Sequence, residues 1–171
     1  MLHNNKSILC SLGLFVAIIV LSSCRDGFGC PGSLEIVLKN QTTLLLSTYV
    51  ADGTNSGFSY PDTNLTNKAV NSFCLTEHIK ETFSIYIQSA YSYGYLVIGT
   101  SNKVLSIYVF SQDEVQEIGW ESIFKNNQFL VRYDLTKKDL NKLKGKLCFP
   151  PDEKMKEVRM YPPYEEVIKR Y

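Results

Sequence analysis

The chain has 171 residues, with 18 Lys+Arg, 17 Asp+Glu and a formal net charge of +1 at pH 7. This length corresponds to about one domain, and 44% hydrophobic residues with 12% aromatic residues are enough for a packed core. Basic and acidic residues are balanced and the basic ones form no stripe, so the composition argues against nucleic-acid binding.

The first 23 residues differ in character from the rest of the chain. A short polar start, in which Lys6 is the only fixed charge, precedes fourteen uncharged residues from Ile8 to Leu21. A helix that spans a membrane needs about 20 apolar residues. The segment is therefore too short for a span and is typical of a secretory signal peptide.

The sequence Leu21-Ser22-Ser23-Cys24 stands where the signal peptide would be cleaved. It resembles the lipobox of bacterial lipoproteins, with Leu at position −3, two small residues and then Cys. The resemblance implies that the Cys24 thiol receives diacylglycerol and that segment 1–23 is removed. Each buried lipid CH₂ contributes about 0.8 kcal/mol, so two or three chains would hold the protein on a membrane. An uncleaved signal anchor and a plain secretory signal are the alternatives.

The residues after Cys24 bear on location. Segment 24–32 is a short, Gly-containing tether, and Arg25 stands where Asp would resemble an inner-membrane retention signal. We therefore expect an outer-membrane protein whose partner is the membrane itself, reached through lipid on Cys24. The side of the membrane that it faces stays open. Segment 33–171 is expected to form a single globular domain.

Three further cysteines, Cys30, Cys74 and Cys148, would remain after cleavage. The cell envelope is oxidising, which permits a disulfide, and three cysteines allow three pairings with one thiol left over. We favour Cys30–Cys74, which would tie the start of the domain to the segment after the first hairpin. The absence of any disulfide is the alternative, and Cys148 in a predicted strand fits a buried free thiol.

Alternating apolar residues predict strands over most of the domain. Segments 33–38 and 43–50 are expected to pair as an antiparallel hairpin. Segment 104–110 is apolar at nearly every position, which indicates a central strand. The other predicted strands are 73–75, 80–90, 128–133, 146–149 and 157–161.

The hydrophobic period changes after the predicted central strand. Asp113 can cap a helix over 113–126, with Gln116 three residues later as in a capping box. The apolar stripe of this helix is Val115, Ile118, Ile123 and Phe124, with Trp120 at its edge.

Two shorter helices follow in the predicted order. Thr136 caps one over 137–144 that stops at Gly145, and Pro162-Pro163 precedes another over 164–170. The predicted fold class is strand-dominated α+β. It is expected to be a single mainly antiparallel sheet or a small β-sandwich, with two short helices in the C-terminal half covering one face or end.

Several stretches resemble small uncharacterised lipoproteins of Bacteroidota-type gut bacteria. The resemblance brings no activity and no catalytic residue, and it strengthens the lipoprotein interpretation alone. It is carried by Tyr60-Pro61-Asp62-Thr63, Trp120-Glu121-Ser122-Ile123, Arg132-Tyr133-Asp134-Leu135-Thr136, Asp139-Leu140 and Pro150-Pro151.

Catalytic motifs are scarce. His78 is the only histidine left after His3 departs with the signal peptide, so a Ser-His-Asp triad or a Cys-His dyad would need it. No G-x-S-x-G surrounds a serine, no phosphate-binding glycine motif occurs, and Glu77-His78 matches no zinc spacing. We expect no catalytic residue, no metal and no cofactor. A hydrolase centred on His78 is the alternative.

Carboxylates give no stronger signal. Glu114, Glu117 and Glu121 would share one helix face, which is normally a solvated acidic face. Metal or glycosidase chemistry is the alternative. A calcium loop formed by Asp52, Asn55 and Asp62 is a further alternative, although no EF-hand frame fits.

A row of tyrosines is the most suggestive feature for binding. Tyr91, Tyr93 and Tyr95 would share one face of an extended segment, near Tyr86. Exposed rings can stack on a sugar or on a partner's apolar surface, whereas packing inside the domain is the structural alternative. We expect a non-catalytic binding or structural accessory of the envelope with an unknown protein or glycan partner; a carbohydrate- or peptide-binding module using this row is the alternative.

Overall fold

A computed structural model describes residues 34–51, 56–66, 68, 75–87 and 103–171 of the chain. These residues form a strand-rich α+β fold, which confirms the predicted fold class. In chain order the described elements are β1 (Leu34–Asn40), β2 (Leu46–Ala51), β3 (Leu75–Ile79), β4 (Thr82–Ile87), β5 (Val104–Ser111), α1 (Gln112–Lys125), β6 (Val131–Thr136), α2 (Lys137–Leu143), β7 (Lys146–Phe149), a 3₁₀ turn (Glu153–Met155), β8 (Arg159–Tyr161) and α3 (Tyr164–Arg170).

The described strands form two sheets. The larger one has the order β3-β2-β5-β6-β8 and is antiparallel throughout. The smaller one has the order β4-β1-β7, in which β1 is antiparallel to β4 and parallel to β7. Side chains from both sheets belong to one buried cluster, so the sheets share a core.

The predicted hairpin of 33–38 with 43–50 is wrong. β1 and β2 belong to different sheets, and residues 41–45 carry the chain from one to the other. The strand predicted over 80–90 is present over its described residues as β4, which begins at Thr82 and lies in the smaller sheet, whereas β3 before it ends at Ile79 and lies in the larger one. Alternation reports which face of a strand is buried. It does not report which strand is the partner.

Two of the crossings between the sheets, from β1 to β2 and from β3 to β4, meet at the buried side chain of Asn40. Its Nδ2 donates to the carbonyl oxygens of Leu44 (2.7 Å) and Ile79 (3.1 Å), and its Oδ1 accepts from the backbone N–H (2.9 Å) and the hydroxyl (2.8 Å) of Thr42. The backbone N–H of Asn40 donates to the carbonyl of Glu81 at 2.6 Å. Asn40 therefore connects the segment between β1 and β2 to the segment between β3 and β4 through hydrogen bonds.

β5 is buried at all eight of its positions, which confirms its predicted central place. Leu105, Ile107 and Val109 belong to the core between the two sheets, the inter-sheet core. Tyr108 and Phe110 point to the opposite face. The inter-sheet core is also built by Ile36, Leu38, Val131, Tyr133, Leu135, Leu140, Leu147, Phe149 and Val167.

Aromatic residues fill the second core, on the outer face of the five-stranded sheet. This aromatic core combines strand residues with α1 and with residues 56–66. Tyr49 has ring centroid distances of 5.8 Å to Phe58 and 5.1 Å to Phe124. Such pairs add about 0.5–1.5 kcal/mol beyond the apolar area that they bury. The fully buried members include Tyr49, Leu65, Tyr108, Phe110, Ile123 and Phe124.

Helix α1 differs from its prediction in two ways. Ser111 caps it in place of Asp113, because the Ser111 hydroxyl accepts from the N–H of Glu114 at 3.4 Å. Gly119 is non-helical, with φ 78° and ψ 155°, so the two halves of α1 do not share one continuous stripe. Ile118, predicted as core, is 39% exposed. Trp120 packs instead in the aromatic core, 5.1 Å from the Phe110 ring centroid.

Helix α2 confirms its predicted start. The Thr136 hydroxyl accepts from the N–H of Asp139, and the Asp139 carboxylate accepts from the N–H of Thr136, which together form a capping box. The helix ends at Leu143, one residue before its predicted end, since Lys144 turns into the left-handed region (φ 52°). The third predicted helix, 164–170, is present as α3.

We predict that Gly119→Ala destabilises the protein by about 1–3 kcal/mol, because a Cβ strains the backbone at this φ and ψ although no neighbouring atom lies within 4 Å of it. Urea unfolding followed by Trp120 fluorescence gives the free energy of unfolding. Glu117→Ala, at an exposed position of the same helix, is the control and should stay within about 0.5 kcal/mol. Equal effects of the two substitutions would contradict the assigned backbone strain.

Candidate functional site

A buried carboxylate lies on the outer face of the five-stranded sheet. Asp134 of β6 is 1% exposed. Successive side chains alternate across a strand, so Asp134 and Arg132 share this face while Tyr133 enters the inter-sheet core. Ser106 of β5 stands directly opposite Asp134 in the sheet register. The sheet therefore brings a hydroxyl, a carboxylate and a guanidinium together.

The Asp134 carboxylate is fully engaged by these neighbours. Its Oδ1 accepts from the Ser106 hydroxyl at 2.7 Å and from Nε of Arg132 at 3.0 Å, and its Oδ2 accepts from Nη2 of Arg132 at 3.0 Å. A buried charge is tolerated when it is paired and hydrogen-bonded. Asp134 meets both conditions, so its chief effect is to hold the Arg132 guanidinium in one orientation.

Tyr108 extends this network toward residues 56–66. Its hydroxyl donates to the carbonyl oxygen of Thr63 at 2.6 Å. Burial raises the pKa of Tyr108 above its usual range, the charge of Arg132 opposes this effect, and the charge of Asp134 adds to it. The phenol is thus neutral at ordinary pH. It acts as a hydrogen-bond donor that links the five-stranded sheet to residues 56–66.

A rim of arginine and tyrosine residues, of which Arg159 and Tyr161 are exposed, borders the buried network. Arg159 of β8 is opposite Asp134 in register, yet its Nη1 donates to the Tyr60 hydroxyl at 2.6 Å and its Cζ lies 5.2 Å from the Tyr60 ring centroid. Tyr161 is opposite Arg132, whose Cζ lies 5.7 Å from the Tyr161 ring centroid. We call Tyr60, Arg132, Arg159 and Tyr161 the arginine–tyrosine surface.

Most residues singled out by the sequence lie outside the described residues. The lipidation site, the favoured disulfide and the tyrosine row are among them, so these interpretations stay predictions. Their residues are Cys24, Cys30, Cys74, Tyr91, Tyr93 and Tyr95. The backbone of His78 lies in β3 and that of Tyr86 in β4, but the side chains of both also fall outside the described part of the chain.

Cys148 is a free thiol in β7. Its Sγ lies 3.8 Å from Oδ2 of Asp152, and burial together with the Asp152 charge raises the pKa of the Cys148 thiol. The thiolate is the nucleophilic form of cysteine, so this environment disfavours reactivity at Cys148. Its backbone carbonyl accepts from the Tyr133 hydroxyl at 2.7 Å, which is a structural contact.

The acidic residues of α1 are distributed as a solvated face. Glu117 and Glu121 are exposed and Glu114 is half-buried. Asp62, considered for a calcium loop, forms an ion pair with Lys68, while Asp52 and Asn55 lie outside the described residues. No cluster of three His, Cys, Asp or Glu side chains suited to a metal ion is found among the residues that the structure describes.

Sequence reasoning overlooked the Ser106–Asp134–Arg132 network and Arg159. One signal was present, because Arg132 and Asp134 are two apart in a strand and must share a face. The burial of that face was not visible in the sequence. It depends on α1 and residues 56–66, which cover the sheet from distant parts of the chain.

We predict that Asp134→Ala lowers the free energy of unfolding by about 3–5 kcal/mol, because it leaves the largely buried Arg132 guanidinium without its partner. Chemical unfolding monitored by circular dichroism provides the measurement. Glu157→Ala, which removes one partner of the exposed pair with Lys142, is the control and should leave the midpoint nearly unchanged.

Should Asp134→Ala not fold, Asp134→Leu combined with Arg132→Met is the second variant. It removes both charges together and should be more stable than the single substitution. A double variant no more stable than Asp134→Ala would contradict the assigned pairing.

The raised pKa of Tyr108 predicts a loss of stability at alkaline pH. Below the unfolded-state value of about 10 both states bind the proton. Above it the unfolded state releases the proton while the folded state retains it, so stability falls as pH rises. Tyr108→Phe should lose about 1 kcal/mol at pH 8, from the hydrogen bond to Thr63, and should show a shallower alkaline decline. Urea unfolding at a series of pH values tests this.

The exposed Tyr161 provides the matched control for the alkaline experiment, because Tyr161→Phe removes a phenol without removing a buried one. Its alkaline decline should equal that of the wild type. If Tyr108→Phe and Tyr161→Phe have the same pH dependence, burial of Tyr108 does not govern the decline.

None of the described helices combines the length and apolar character that a membrane crossing requires. Comparisons with models of protein families, with curated proteins and with solved structures find no match to this chain. A function for this chain must therefore be argued from its own residues and their geometry.

Proposed function

We propose that this chain is a lipid-anchored protein of the bacterial cell envelope and that it serves there as a non-catalytic binding or structural accessory. One observation carries the proposal. The sequence Leu21-Ser22-Ser23-Cys24 follows fourteen uncharged residues behind a basic start. This order is that of a signal peptide that ends in a lipobox. Of the five cysteines, only Cys24 occupies the lipobox position.

The physical effect of such an anchor is durable membrane attachment. One acyl chain binds a membrane reversibly, whereas two or more chains together bind it stably. Arg25 replaces the Asp that resembles an inner-membrane retention signal, which favours the outer membrane. The tether of residues 24–32 would then hold the folded domain beside the bilayer.

The environments of the reactive groups support a role without catalysis. The buried Asp134 carboxylate is neutralised by Arg132 and accepts a hydrogen bond from Ser106. The Cys148 thiol has a raised pKa, which disfavours its nucleophilic form. Both groups sit in contacts that stabilise the fold. His78 could act as a base only with a partner that no sequence motif supplies.

The exposed face of the fold supports a binding role. Tyr161 is 56% exposed and Arg159 is exposed beside it. Tyrosine and arginine are enriched where proteins bind ligands and partners. The row Tyr91, Tyr93 and Tyr95 is a second candidate surface, proposed on sequence alone.

We predict that Cys24→Ala abolishes lipid attachment when the full-length chain is expressed in a bacterial host. Intact-mass analysis of the wild-type protein should show a chain that begins at Cys24 and carries acyl mass. A clickable palmitate analogue should label the wild type, and Cys24→Ala should lose both the label and the acyl mass. Cys148→Ala is the matched control and should keep both. Wild-type protein that is freely soluble, or that retains residues 1–23 without an acyl group, would refute the proposal.

A further inference from the structure

We infer that the arginine–tyrosine surface binds an acidic saccharide, with Arg159 engaging a sugar carboxylate and Tyr161 stacking on the sugar ring. This inference rests on the binding role proposed above and specifies its ligand class. It does not depend on the lipid anchor. Loss of palmitate labelling would leave this surface intact, and failure of saccharide binding would leave Cys24 as the anchor.

The charge of Arg159 is not balanced by a carboxylate among the described residues. Its neighbour in register, Asp134, is already engaged by Arg132 and Ser106. None of the ion pairs among the described residues includes Arg159. Its Nη1 donates to the neutral Tyr60 hydroxyl. An exposed guanidinium that is held in place by a neutral group is suited to bind a carboxylate from a ligand.

The Arg159 guanidinium is also held in one orientation. The Tyr60 hydroxyl and ring hold the Arg159 guanidinium from one side. A guanidinium has five N–H donors in a planar fork, and the fork matches a carboxylate through two parallel hydrogen bonds. Fixing the side chain in advance reduces the entropy lost on binding. Arg132 is diagonal to Arg159 across the strand pair, at about 7–8 Å, but its charge is balanced by Asp134, so Arg159 supplies the net positive charge of this surface.

The exposed ring of Tyr161 offers an apolar surface next to these arginines. Phe129 contacts it edge-on at a centroid distance of 6.0 Å, and Arg132 lies against it. The ring is 56% exposed despite these two contacts. A tyrosine combines apolar ring area with a polar hydroxyl, so it can cover the C–H face of a sugar and donate to a sugar oxygen.

An acidic peptide would fit this surface less well. An extended peptide gains affinity by adding a strand to a sheet edge, and among the described strands β8 lies at one edge of the larger sheet. β8 has only three residues and is followed by Pro162, which has no N–H to donate. The N–H of Val158, just before β8, already donates to the carbonyl of Met155. The β8 edge therefore offers few backbone hydrogen bonds to a peptide. A sugar would need only the exposed side chains of Arg159 and Tyr161.

The test is a titration of the protein produced from the full chain in a bacterial host and purified in detergent, with or without acyl groups, against a trigalacturonate probe. The neutral galactose trimer and a tri-glutamate peptide are the comparison probes. Isothermal titration calorimetry should detect binding of trigalacturonate with at least about tenfold preference over both comparison probes. Raising the ionic strength from about 0.05 M to about 0.5 M should weaken binding, because the Debye length shortens.

Variants locate the binding surface. Arg159→Ala and Tyr161→Ala should each weaken trigalacturonate binding by about tenfold or more, as expected for losing a hydrogen bond to a charged group or a stacking ring. Arg159→Lys should restore part of the affinity, since it keeps the charge without the fork. Arg170→Ala removes a charge at an exposed site on α3 and is the matched control that should bind like the wild type.

Every outcome of the experiment decides the inference. Selective trigalacturonate binding that needs Arg159 and Tyr161 supports it. Absence of trigalacturonate binding at millimolar concentration, equal binding of the neutral trimer, or equal or stronger binding of tri-glutamate overturns it. Binding that survives Arg159→Ala, or that Arg170→Ala weakens equally, also overturns it. Circular dichroism of each variant ensures that lost binding is not lost folding.

Discussion

Burial of β5 on both faces is the constraint on which the rest of the structure depends. All eight of its residues are buried, so other parts of the chain must pack against both of its faces. The three-stranded sheet helps to fill one side with Ile36, Leu147 and Phe149, and α1 with residues 56–66 fills the other. A fully buried aliphatic or aromatic side chain contributes about 1.5–3 kcal/mol. The cores on the two faces of the sheet are therefore the main source of stability, and β5 contributes side chains to both of them.

The same burial creates the polar network. Ser106 is a small polar residue in the middle of β5, and its hydroxyl must find a partner inside the sheet. Asp134 on the neighbouring strand supplies the acceptor, and its own charge then requires Arg132. Each polar group is thus paired with the next one, from Ser106 in the central strand through Asp134 to Arg132. Arg159 is opposite Asp134 in the sheet register, but the Asp134 carboxylate is paired with Arg132. The guanidinium of Arg159 therefore contacts Tyr60 instead.

The sequence predicted features that depend on neighbours along the chain. The apolar run of β5, the Thr136 helix cap and the third helix are local patterns, and the structure confirms all three. The pairing of β1 with β4 and β7 depends on distant residues, which no alternation pattern specifies. The break at Gly119 was hidden because glycine is compatible with both helix and turn. The candidate site was overlooked for the same reason as the pairing, since its cover comes from distant segments.

The parallel pairing of β1 with β7 has a consequence for the order in which the chain becomes available. β1 lies near the start of the domain, and its parallel partner begins only at Lys146. The last helix then inserts Val167 into the inter-sheet core. If the chain is delivered across a membrane behind its signal peptide, as the proposed function implies, β1 lacks its parallel partner until residues 146–149 have followed. A chain truncated before Lys146 would lack the strand that completes its smaller sheet.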